Sequence, residues 1–354
     1  MELNYVRSTL VTIRFAILGC GRIGKMHARM LDRSVSGTTV SVVYDVVDAA
    51  AQAVAADVGA RVATSLADAV SAHDIDAVVI CTSTSTHVDA IVAAAQAGKP
   101  IFCEKPISLD LAEVDRALAA VNAAGVKLHI GFNRRFDPSH KSVADAVRRG
   151  DVGDVHLCNI TSRDPGPPPI EYIHTSGGIF KDMSVHDFDM ARYVTGSEVV
   201  EVFAKGAVRV DAAIGEAGDV DTAVIVLTHE NGAITTIDNS RKAAYGYDQR
   251  VEAFGSLGKI SSDNTHDFNA ALATAAGFQR PPLQNFFLER YARSYLDQWA
   301  AFVDMINHDG ASPVSGADGR ASLVVATAAL QSMLENRPVT ISEFDGAGET
   351  TAGS

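Results

Sequence analysis

The stretch FAILGCGRIG, residues 15–24, places an apolar run directly before a GxGxxG motif. In such a motif Gly19 allows a tight turn, Gly21 lets the backbone approach a pyrophosphate, and Gly24 allows close contact between a helix and a strand. The motif alone is a weak signal, but here it lies between a predicted strand and a predicted helix. The sequence therefore predicts a dinucleotide-binding turn.

An acidic residue follows at the distance that this turn requires. Asp45 closes the second apolar run, 21 residues after Gly24. A carboxylate in this place accepts hydrogen bonds from the adenosine ribose hydroxyls and repels the additional phosphate of NADP. NAD is therefore the predicted cofactor. The alternative is a glycine turn followed by a surface aspartate that has no ligand.

Outward from the motif, apolar runs alternate with alanine-rich helical stretches. The predicted strands are Val11–Leu18, Val40–Tyr44, Ala77–Cys81, Ile101–Cys103 and Val126–Ile130, and the predicted helices are Ile23–Leu31, Ala49–Val58, Val88–Ala97 and Leu111–Ala124. This alternation is typical of βαβ units in a doubly wound parallel sheet. We predict an α/β protein whose residues 12–133 form a Rossmann domain.

The pattern changes after about residue 131. Later β-rich runs have few helices between them, and Asn231-Gly232 separates two of them, which is a strong hairpin signal. We predict a second α/β domain over residues 134–340 with a mainly antiparallel open sheet and a helix at Ser184–Val194. Two later helices, Phe286–Ile306 and Leu323–Leu334, could pack on either domain, and residues 341–354 are predicted to be a flexible tail.

Composition excludes several classes of protein. The formal net charge of the 354 residues is −13, which argues against a nucleic-acid partner. No apolar run approaches the ~20 residues of a membrane span, and the first ten residues lack the pattern of a secretion signal. The four cysteines form no CxxC pair and fit buried thiols in a reducing compartment, so we expect a cytoplasmic protein without a structural metal.

A hydroxyl-rich loop follows the third predicted strand, where a doubly wound sheet binds its ligand. This loop, residues 82–87, could contact the nicotinamide ribose, cap the next helix, or do both. The predicted cofactor contacts are Gly19, Gly21, Arg22, Ile23, Gly24, Asp45, Thr82, Ser83, Thr84, His87, Glu104 and Lys105.

Two clusters carry residues suited to alcohol oxidation. Lys105, in Glu104-Lys105-Pro106, follows a strand, and its ammonium could hold a substrate oxygen as the proton departs. Asp182, His186 and Asp189 have i, i+4, i+7 spacing, which on a regular helix gives one face. His186 is a candidate general base, with Asp182 orienting it or passing on its proton. The alternatives are a helix cap at Asp182, a buried structural histidine, and a divalent metal site.

Other polar residues could contact a substrate. Arg134 follows Asn133 at the predicted domain junction, where an arginine could equally form an interdomain salt bridge. Tyr245 and Tyr247 could contact a polyol or pack on the sheet, and Asp164 opens a proline-rich loop, residues 164–169, that could form a lid.

These residues together resemble the glucose–fructose oxidoreductase/inositol dehydrogenase family over most of the chain, about residues 12–340. The motifs at residues 19–24, 104–106, 131–137 and 182–186 carry the resemblance, and residues 177–193 and 245–248 are similar to its inositol dehydrogenase branch. The resemblance implies a homotetramer joined through the open sheet. It implies catalysis by Lys105, Asp182 and His186, and substrate binding by these three and Asn133, Arg134, Asp164, and Tyr245 or Tyr247.

The activity implied by this resemblance is NAD-dependent oxidation of a ring hydroxyl of a cyclitol, with myo-inositol as the expected substrate. Many members carry a proline where this chain has Thr82-Ser83-Thr84, so scyllo-inositol or an aldose is the alternative substrate. A non-catalytic NAD-binding sensor is a further alternative, although a sensor needs no proton acceptor. Short-chain dehydrogenase chemistry is disfavoured because the chain has no Tyr-x-x-x-Lys.

Overall fold

The computed structural model describes residues 12–344 and divides them into two compact units. The N-terminal unit contains residues 12–104, 116–131 and 299–315. The C-terminal unit contains residues 105–115, 132–298 and 316–344.

The N-terminal unit is built around a six-stranded parallel sheet. Its strands are β1 (Ile13–Leu18), β2 (Thr38–Tyr44), β3 (Arg61–Val62), β4 (Ala77–Ile80), β5 (Ile101–Cys103) and β6 (Leu128–Ile130). The helices in this stretch of chain are α1 (Arg22–Arg33), α2 (Asp48–Val58), α3 (Leu66–Ser71), α4 (His87–Gln96) and α5 (Leu111–Ala124). Single residues fix the end of α2 and the start of α3. Gly59 ends α2 in the left-handed conformation, and the Ser65 side chain caps α3.

The strand order is β3-β2-β1-β4-β5-β6, the doubly wound arrangement that the sequence predicts. Leu18 is in register with Tyr44 on one side and with Ile80 on the other, and Ile80 is in register with Cys103. The loops that follow these strands therefore leave the sheet at one edge, which is where such a fold binds its ligand.

Strands β1, β4, β5 and β6 are buried on both faces, which explains their continuous apolar runs. The core on one face is aromatic: Phe102 lies 4.4 Å, centroid to centroid, from Trp299, and Phe15 and Phe302 pack edge-on against that indole. All four side chains are fully buried. The segment containing Trp299 and Phe302 is therefore part of this core, although it is remote in sequence.

The C-terminal unit is built on a seven-stranded mixed sheet in the order β12-β11-β7-β10-β9-β8-β15. The remaining strands are β7 (Val155–Arg163), β8 (Val199–Ala207), β9 (Thr222–His229), β10 (Ile234–Ser240), β11 (Asp248–Gly255), β12 (Gly258–Ser261), β13 (Leu272–Thr274), β14 (Gly277–Gln279) and β15 (Val339–Thr340). The remaining helices are α6 (Pro138–Arg148), α7 (Ile170–Ser176), α8 (Val185–Thr195), α9 (Ala212–Glu216), α10 (Phe287–Arg290), α11 (Ala292–Asn307) and α12 (Gly316–Glu335). Strands β13 and β14 form a separate hairpin.

One face of the seven-stranded sheet is covered and the other is open. Side chains from β7 to β11 form a common core with helices α6, α8 and α12. Alternate residues on the opposite face remain exposed, among them Leu157, Val200, Val224, Ile234 and Phe254. This alternation is the period-2 pattern of a sheet packed on one side only.

The predicted fold class is confirmed, including the Asn231-Gly232 hairpin between the antiparallel strands β9 and β10. The mainly antiparallel sheet has one exception, because β10 pairs with β7 in parallel. The predicted helix Leu323–Leu334 begins earlier, at Gly316, and lies in the C-terminal unit.

Both ends of the chain are described only in part. In the predicted tail, residues 341–344 form a 3₁₀ turn, and residues 345–354 lie outside the described residues. Residue 11, the predicted start of β1, also lies outside them. Among residues 12–344, none of the helices combines the length and apolar character needed to cross a membrane.

Candidate active site

The glycine turn after β1 has the geometry of a phosphate-binding turn. Gly19 has φ +90°, and a Cβ there would lie 2.5 Å from the backbone of Cys81. A Cβ on Gly24 would lie 1.8 Å from the carbonyl oxygen of Gly19, whereas a Cβ on Gly21 would meet nothing within 4 Å. A side chain at position 19 or 24 would therefore clash with the backbone of the protein. Gly21, in contrast, leaves space at the start of α1.

The start of α1 fits an anionic group. The helix begins at Arg22 without a side-chain cap and without an acidic residue in its first turn. Its first backbone N–H groups and the positive end of its dipole are therefore directed toward the space beside Gly21. These residues fit the pyrophosphate of NAD.

Asp45 lies beside the same turn. Its carboxylate accepts a hydrogen bond from the Cys20 amide at 2.6 Å and another from the Val47 amide at 2.8 Å. Each carboxylate oxygen can accept a further bond. Asp45 thus fixes the glycine turn against the end of β2 and retains acceptor positions for a ribose diol.

The loop after β4 does not cap α4, which was one of its two predicted roles. No side-chain hydrogen bond caps the turn Thr84–Thr86 or helix α4. Instead Thr86 Oγ1 donates to Thr82 Oγ1 at 2.8 Å, and His87 Nε2 lies 3.0 Å from the Thr82 carbonyl. The contact of Thr82, Ser83 and Thr84 with the nicotinamide ribose stays a prediction.

Glu104 follows β5 and is held by a buried chain of hydrogen bonds. The Trp299 indole N–H donates to His27 Nδ1 at 3.0 Å, and His27 Nε2 lies 2.8 Å from Glu104 Oε1. Because Nδ1 accepts, Nε2 carries the proton and donates to the carboxylate. Gly131 lies against the same carboxylate, since a Cβ there would be 2.9 Å from Oε2. The residue next to Lys105 is therefore fixed in orientation.

The two helix-side glycines give a matched test of the cofactor site. We expect Gly21→Ala to leave thermal stability unchanged and to weaken NAD binding by about 10-fold or more, because the methyl group enters the space left for phosphate. We expect Gly24→Ala to destabilise the fold by roughly 3 kcal/mol or more, because its methyl group meets backbone. Thermal denaturation and NAD titration of both variants measure this. Equal loss of stability in the two variants would contradict the assignment.

In the C-terminal unit, Asp182 lies in a π-helical turn, Phe180–Ser184, that continues into α8. The turn follows Gly177 and Gly178, which both have positive φ. A π turn adds a residue to the helical repeat and changes which side chains share a face. Asp189 has a different partner from Asp182 and forms a buried ion pair with Arg135 at 2.5 Å. The predicted single face for Asp182, His186 and Asp189 stays a prediction.

The Asp182 carboxylate has three polar partners. Tyr172 donates its hydroxyl to Oδ1 at 2.9 Å, Arg241 Nη1 donates to Oδ2 at 3.0 Å, and Lys105 Nζ lies 3.5 Å from Oδ1. Burial raises the pKa of Asp182, but Lys105, Arg241 and the hydrogen bonds outweigh it and leave the pKa below its ordinary value. Asp182 is therefore an anion at neutral pH.

Lys105 contacts Asp182 directly, and the charge of Lys105 acts on His186. Lys105 Nζ donates to the Asp182 carbonyl at 2.9 Å, which fixes the ammonium. Burial lowers the pKa of His186 well below its ordinary value, and the charges of Lys105 and Arg134 lower it further. His186 Nδ1 is buried without a hydrogen-bond partner, so no bond through it joins the imidazole to Asp182 in this structure. The site therefore presents a neutral imidazole and a fixed ammonium.

Tyr172 and Arg241 were not identified from the sequence. Tyr172 is on α7, a helix that was not predicted, and Arg241 directly follows β10. Asp164 directly follows β7, and since β7 and β10 are parallel neighbours both residues leave the sheet at the same edge. Strand ends meeting at one edge could have indicated Arg241, but only if the parallel pairing had been predicted.

Asp164 differs from Asp182 in its charge state. Burial raises the pKa of Asp164 to about 6, and Arg241 and Arg134 oppose this shift while Asp182 adds to it. A carboxyl group with this pKa is partly protonated near neutrality, so it can donate as well as accept a hydrogen bond.

Arg134 and Asn133 are buried. Arg134 Nη1 donates to Asp187 Oδ1 at 2.7 Å, and the Asn133 amide donates to Ser294 at 3.0 Å. Asp187 also accepts from Asn239 at 2.8 Å. Arg134 thereby forms a salt bridge within the C-terminal unit, and its predicted contact with substrate stays a prediction. Its guanidinium still acts electrostatically on Asp164 and His186.

The two candidate tyrosines have different surroundings. Tyr245 is 53% exposed; it donates to Asp248 at 2.6 Å and accepts from Arg163 at 2.9 Å. Tyr247 is buried, and its pKa is raised well above the ordinary value by burial, with Arg134 opposing and Asp164 adding to the shift. Tyr247 is therefore the tyrosine on the side of Asp164 and Arg134.

A phosphate-binding glycine turn with a ribose-side acid, and a neutral imidazole beside a fixed ammonium, define a dinucleotide-dependent oxidoreductase. Residues 13–132 match the oxidoreductase family with an NAD-binding Rossmann fold, and residues 140–261 match the GFO/IDH/MocA C-terminal domain. The chain belongs to this family, and its cofactor is NAD. The predicted family, cofactor and enzyme class are confirmed.

Individual relatives cover nearly the whole chain. The inositol 2-dehydrogenase of Rhizobium meliloti (strain 1021) is 47% identical over 94% of this chain and 100% of its own. The myo-inositol 2-dehydrogenase of Thermotoga maritima is 45% identical over the same two shares. The crystal structure of scyllo-inositol dehydrogenase from Lactobacillus casei with NAD(H) and scyllo-inositol is 29% identical, with a TM-score of 0.88, over 94% of this chain and 99% of that one.

Proposed function

We propose that this protein oxidises a ring hydroxyl of myo-inositol with NAD, giving 2-keto-myo-inositol and NADH, and serves polyol catabolism in the cytoplasm. One observation carries the chemistry: a neutral imidazole, His186, lies in a cluster with the ammonium of Lys105 and the carboxylate of Asp182. The relatives named inositol 2-dehydrogenase support the choice of substrate.

His186 is the proton acceptor. Oxidising an alcohol removes a hydride from carbon and a proton from oxygen, and NAD accepts the hydride when it is bound. The lowered pKa of His186 keeps the imidazole neutral at neutral pH, so it can take the hydroxyl proton without first losing one. After the reaction the proton passes to solvent, which leaves one proton and one NADH for each ketone formed.

Lys105 holds the reacting oxygen and stabilises the negative charge that develops on it. Asp182 keeps the ammonium in place through its carbonyl at 2.9 Å and its carboxylate at 3.5 Å. The positive charge of Lys105 also lowers the pKa of His186. Asp182 consequently supports His186 through Lys105, and direct orientation of the imidazole by Asp182 stays a prediction.

Asp164 and Tyr247 are the residues we assign to the remaining ring hydroxyls. A partly protonated carboxyl at Asp164 suits a polyol, whose hydroxyls both donate and accept. Arg134 and Asn133 are assigned an indirect role, because both side chains are engaged with other protein groups. We further propose a homotetramer joined through the open face of the seven-stranded sheet, where apolar side chains such as Val224 and Phe254 are exposed.

A substrate panel tests the proposed function. Purified protein is mixed with NAD and, separately, myo-inositol, scyllo-inositol, glucose or xylose, and NADH absorbance is followed. We expect kcat/KM for myo-inositol to exceed that for either aldose by at least about 10²-fold, because a site that hydrogen-bonds hydroxyls rejects analogues that present them differently. Preference for scyllo-inositol would correct the stereochemistry, and no turnover of any substrate with NAD bound would contradict the proposal.

A further inference from the structure

Arg241 is a buried arginine that the proposed chemistry does not use. Its side chain is 2% exposed, and it follows β10 at the edge of the sheet where Asp164 also lies. Nη1 donates to Asp182 Oδ2 at 3.0 Å. Placing a guanidinium in a protein interior is costly unless it is paired, so its partners define its role.

The second partner is Asp219. Arg241 Nη2 lies 3.9 Å from Asp219 Oδ2, and Asp219 Oδ1 accepts the amide of Ile179 at 3.1 Å. Ile179 immediately precedes the π-helical turn that contains Asp182. Asp219 therefore holds the backbone at the start of this π-helical turn, and Arg241 holds the carboxylate of Asp182.

Arg241 Nε and Nη2 are buried without hydrogen-bond partners. The guanidinium thus makes a single direct bond, to the Asp182 carboxylate, and much of its favourable interaction with the protein is electrostatic. Loss of this arginine would consequently affect Asp182 first.

A comparison of two neighbouring acids indicates what the charge does. Asp182 is faced by Lys105, Arg241, the Tyr172 hydroxyl and Asp164, and its pKa is lowered despite burial. The charge of Arg241 also lowers the pKa of Asp164, but no direct hydrogen bond joins the two residues. Burial raises the pKa of Asp164 to about 6. The hydrogen bond from Arg241 is therefore one of the differences between an ionised and a partly protonated carboxyl in the same cluster.

We propose that Arg241 is a positioning residue of this enzyme, which keeps Asp182 ionised and oriented so that Asp182 can hold the Lys105 ammonium toward the reacting oxygen. This inference rests on the proposed function for its kinetic consequence. Its electrostatic consequence, the ionised state of Asp182, does not depend on the identity of the substrate.

The test replaces Arg241 by Gln and by Lys. Arg241→Gln keeps a hydrogen-bond donor but removes the charge, so the pKa of Asp182 rises and its anion is lost as pH falls through the new value. We expect kcat with myo-inositol at pH 7 to fall by roughly 10- to 100-fold, and the acidic limb of kcat/KM to move to higher pH. Arg241→Lys retains the charge, so its acidic limb is expected to stay at the wild-type position. Arg192→Gln, another largely buried arginine, which pairs with Glu198, is the matched control with an unchanged profile.

Carbon-13 NMR of aspartate-labelled full-length protein reads the same pKa without turnover. The Asp182 carboxyl signal is identified by its absence in Asp182→Asn, which separates it from Asp164, whose pKa Arg241 also lowers. We expect the signal to titrate at higher pH in Arg241→Gln than in wild type. If that variant does not fold by circular dichroism, Asp219→Asn replaces it. There we expect Asp182 to stay ionised while kcat falls by about 3- to 10-fold through lost orientation.

The outcomes separate the two proposals. An unchanged Asp182 titration in Arg241→Gln overturns the inference, and so do an unchanged acidic limb in an active Arg241→Gln variant and unchanged kcat in Asp219→Asn. A wild-type enzyme without cyclitol turnover overturns the proposed function, while the NMR titration still decides whether Arg241 keeps Asp182 ionised.

Discussion

Replacing His186 by Ala is expected to lower kcat with myo-inositol by roughly 10²- to 10⁴-fold while NAD still binds. In the proposed mechanism the imidazole is the proton acceptor, and no other neutral base is among the residues that we place at the reacting oxygen. Its side chain also packs edge-on against Phe132, at 5.9 Å between ring centroids, so a modest loss of stability accompanies the change. Steady-state kinetics and NAD titration of the variant measure the two effects separately.

The matched control for this variant is His156→Ala. His156 is an exposed histidine on β7 of the same unit, and its ring contacts Phe254. We expect its kcat to stay within about 2-fold of the wild-type value. A near-normal kcat in His186→Ala would remove His186 from the mechanism, and an equal loss in both variants would indicate a general effect on folding.

The acidic side of the wild-type pH profile follows from the same group. A general base works in its neutral form, and the pKa of His186 lies well below its ordinary value of 6.5. His186 should therefore remain active below pH 6.5, and titration of Asp164, with a pKa of about 6, should be the first change in the site as pH falls.

The cofactor half of the molecule could be predicted from sequence because its signals are local. The glycine turn, the apolar strands and Asp45 each depend on neighbours within one βαβ unit, and the structure places them as the spacing indicates. The segment containing Trp299 could not be assigned to this unit in the same way, because its contacts there are with Phe15, His27 and Phe102, which are remote in sequence.

The candidate site in the C-terminal unit was predicted less completely, for two physical reasons. Helical spacing does not indicate the partners of a side chain: Asp182 accepts a hydrogen bond from Arg241, whereas Asp189, seven residues later, forms an ion pair with Arg135. The parallel pairing of β7 with β10 has no short-range sequence signal, so the meeting of Asp164 with Arg241 was missed.

Lys105→Met is expected to lower kcat/KM by roughly 10²- to 10³-fold, the usual cost of removing one donor from a developing oxyanion. Methionine fills a similar volume without the charge, so the 16% exposed side chain should still pack. The substitution also changes the base. Without the ammonium the pKa of His186 rises toward its ordinary value, since Lys105 lowers it. The acidic limb of the remaining activity should therefore move to higher pH, which a change in packing alone would not produce.

Lys181→Met is the matched control for Lys105→Met. Lys181 is a partly buried lysine in the turn that also contains Asp182, but its ammonium donates to the Leu109 carbonyl at 2.7 Å and has no assigned role at the reacting oxygen. Its loss should change kcat/KM by no more than about 3-fold and leave the pH profile in place. If Lys105→Met and Lys181→Met lost activity equally, with unshifted profiles, the ammonium of Lys105 would have a structural role only, and the proton transfer to His186 would have to proceed without it.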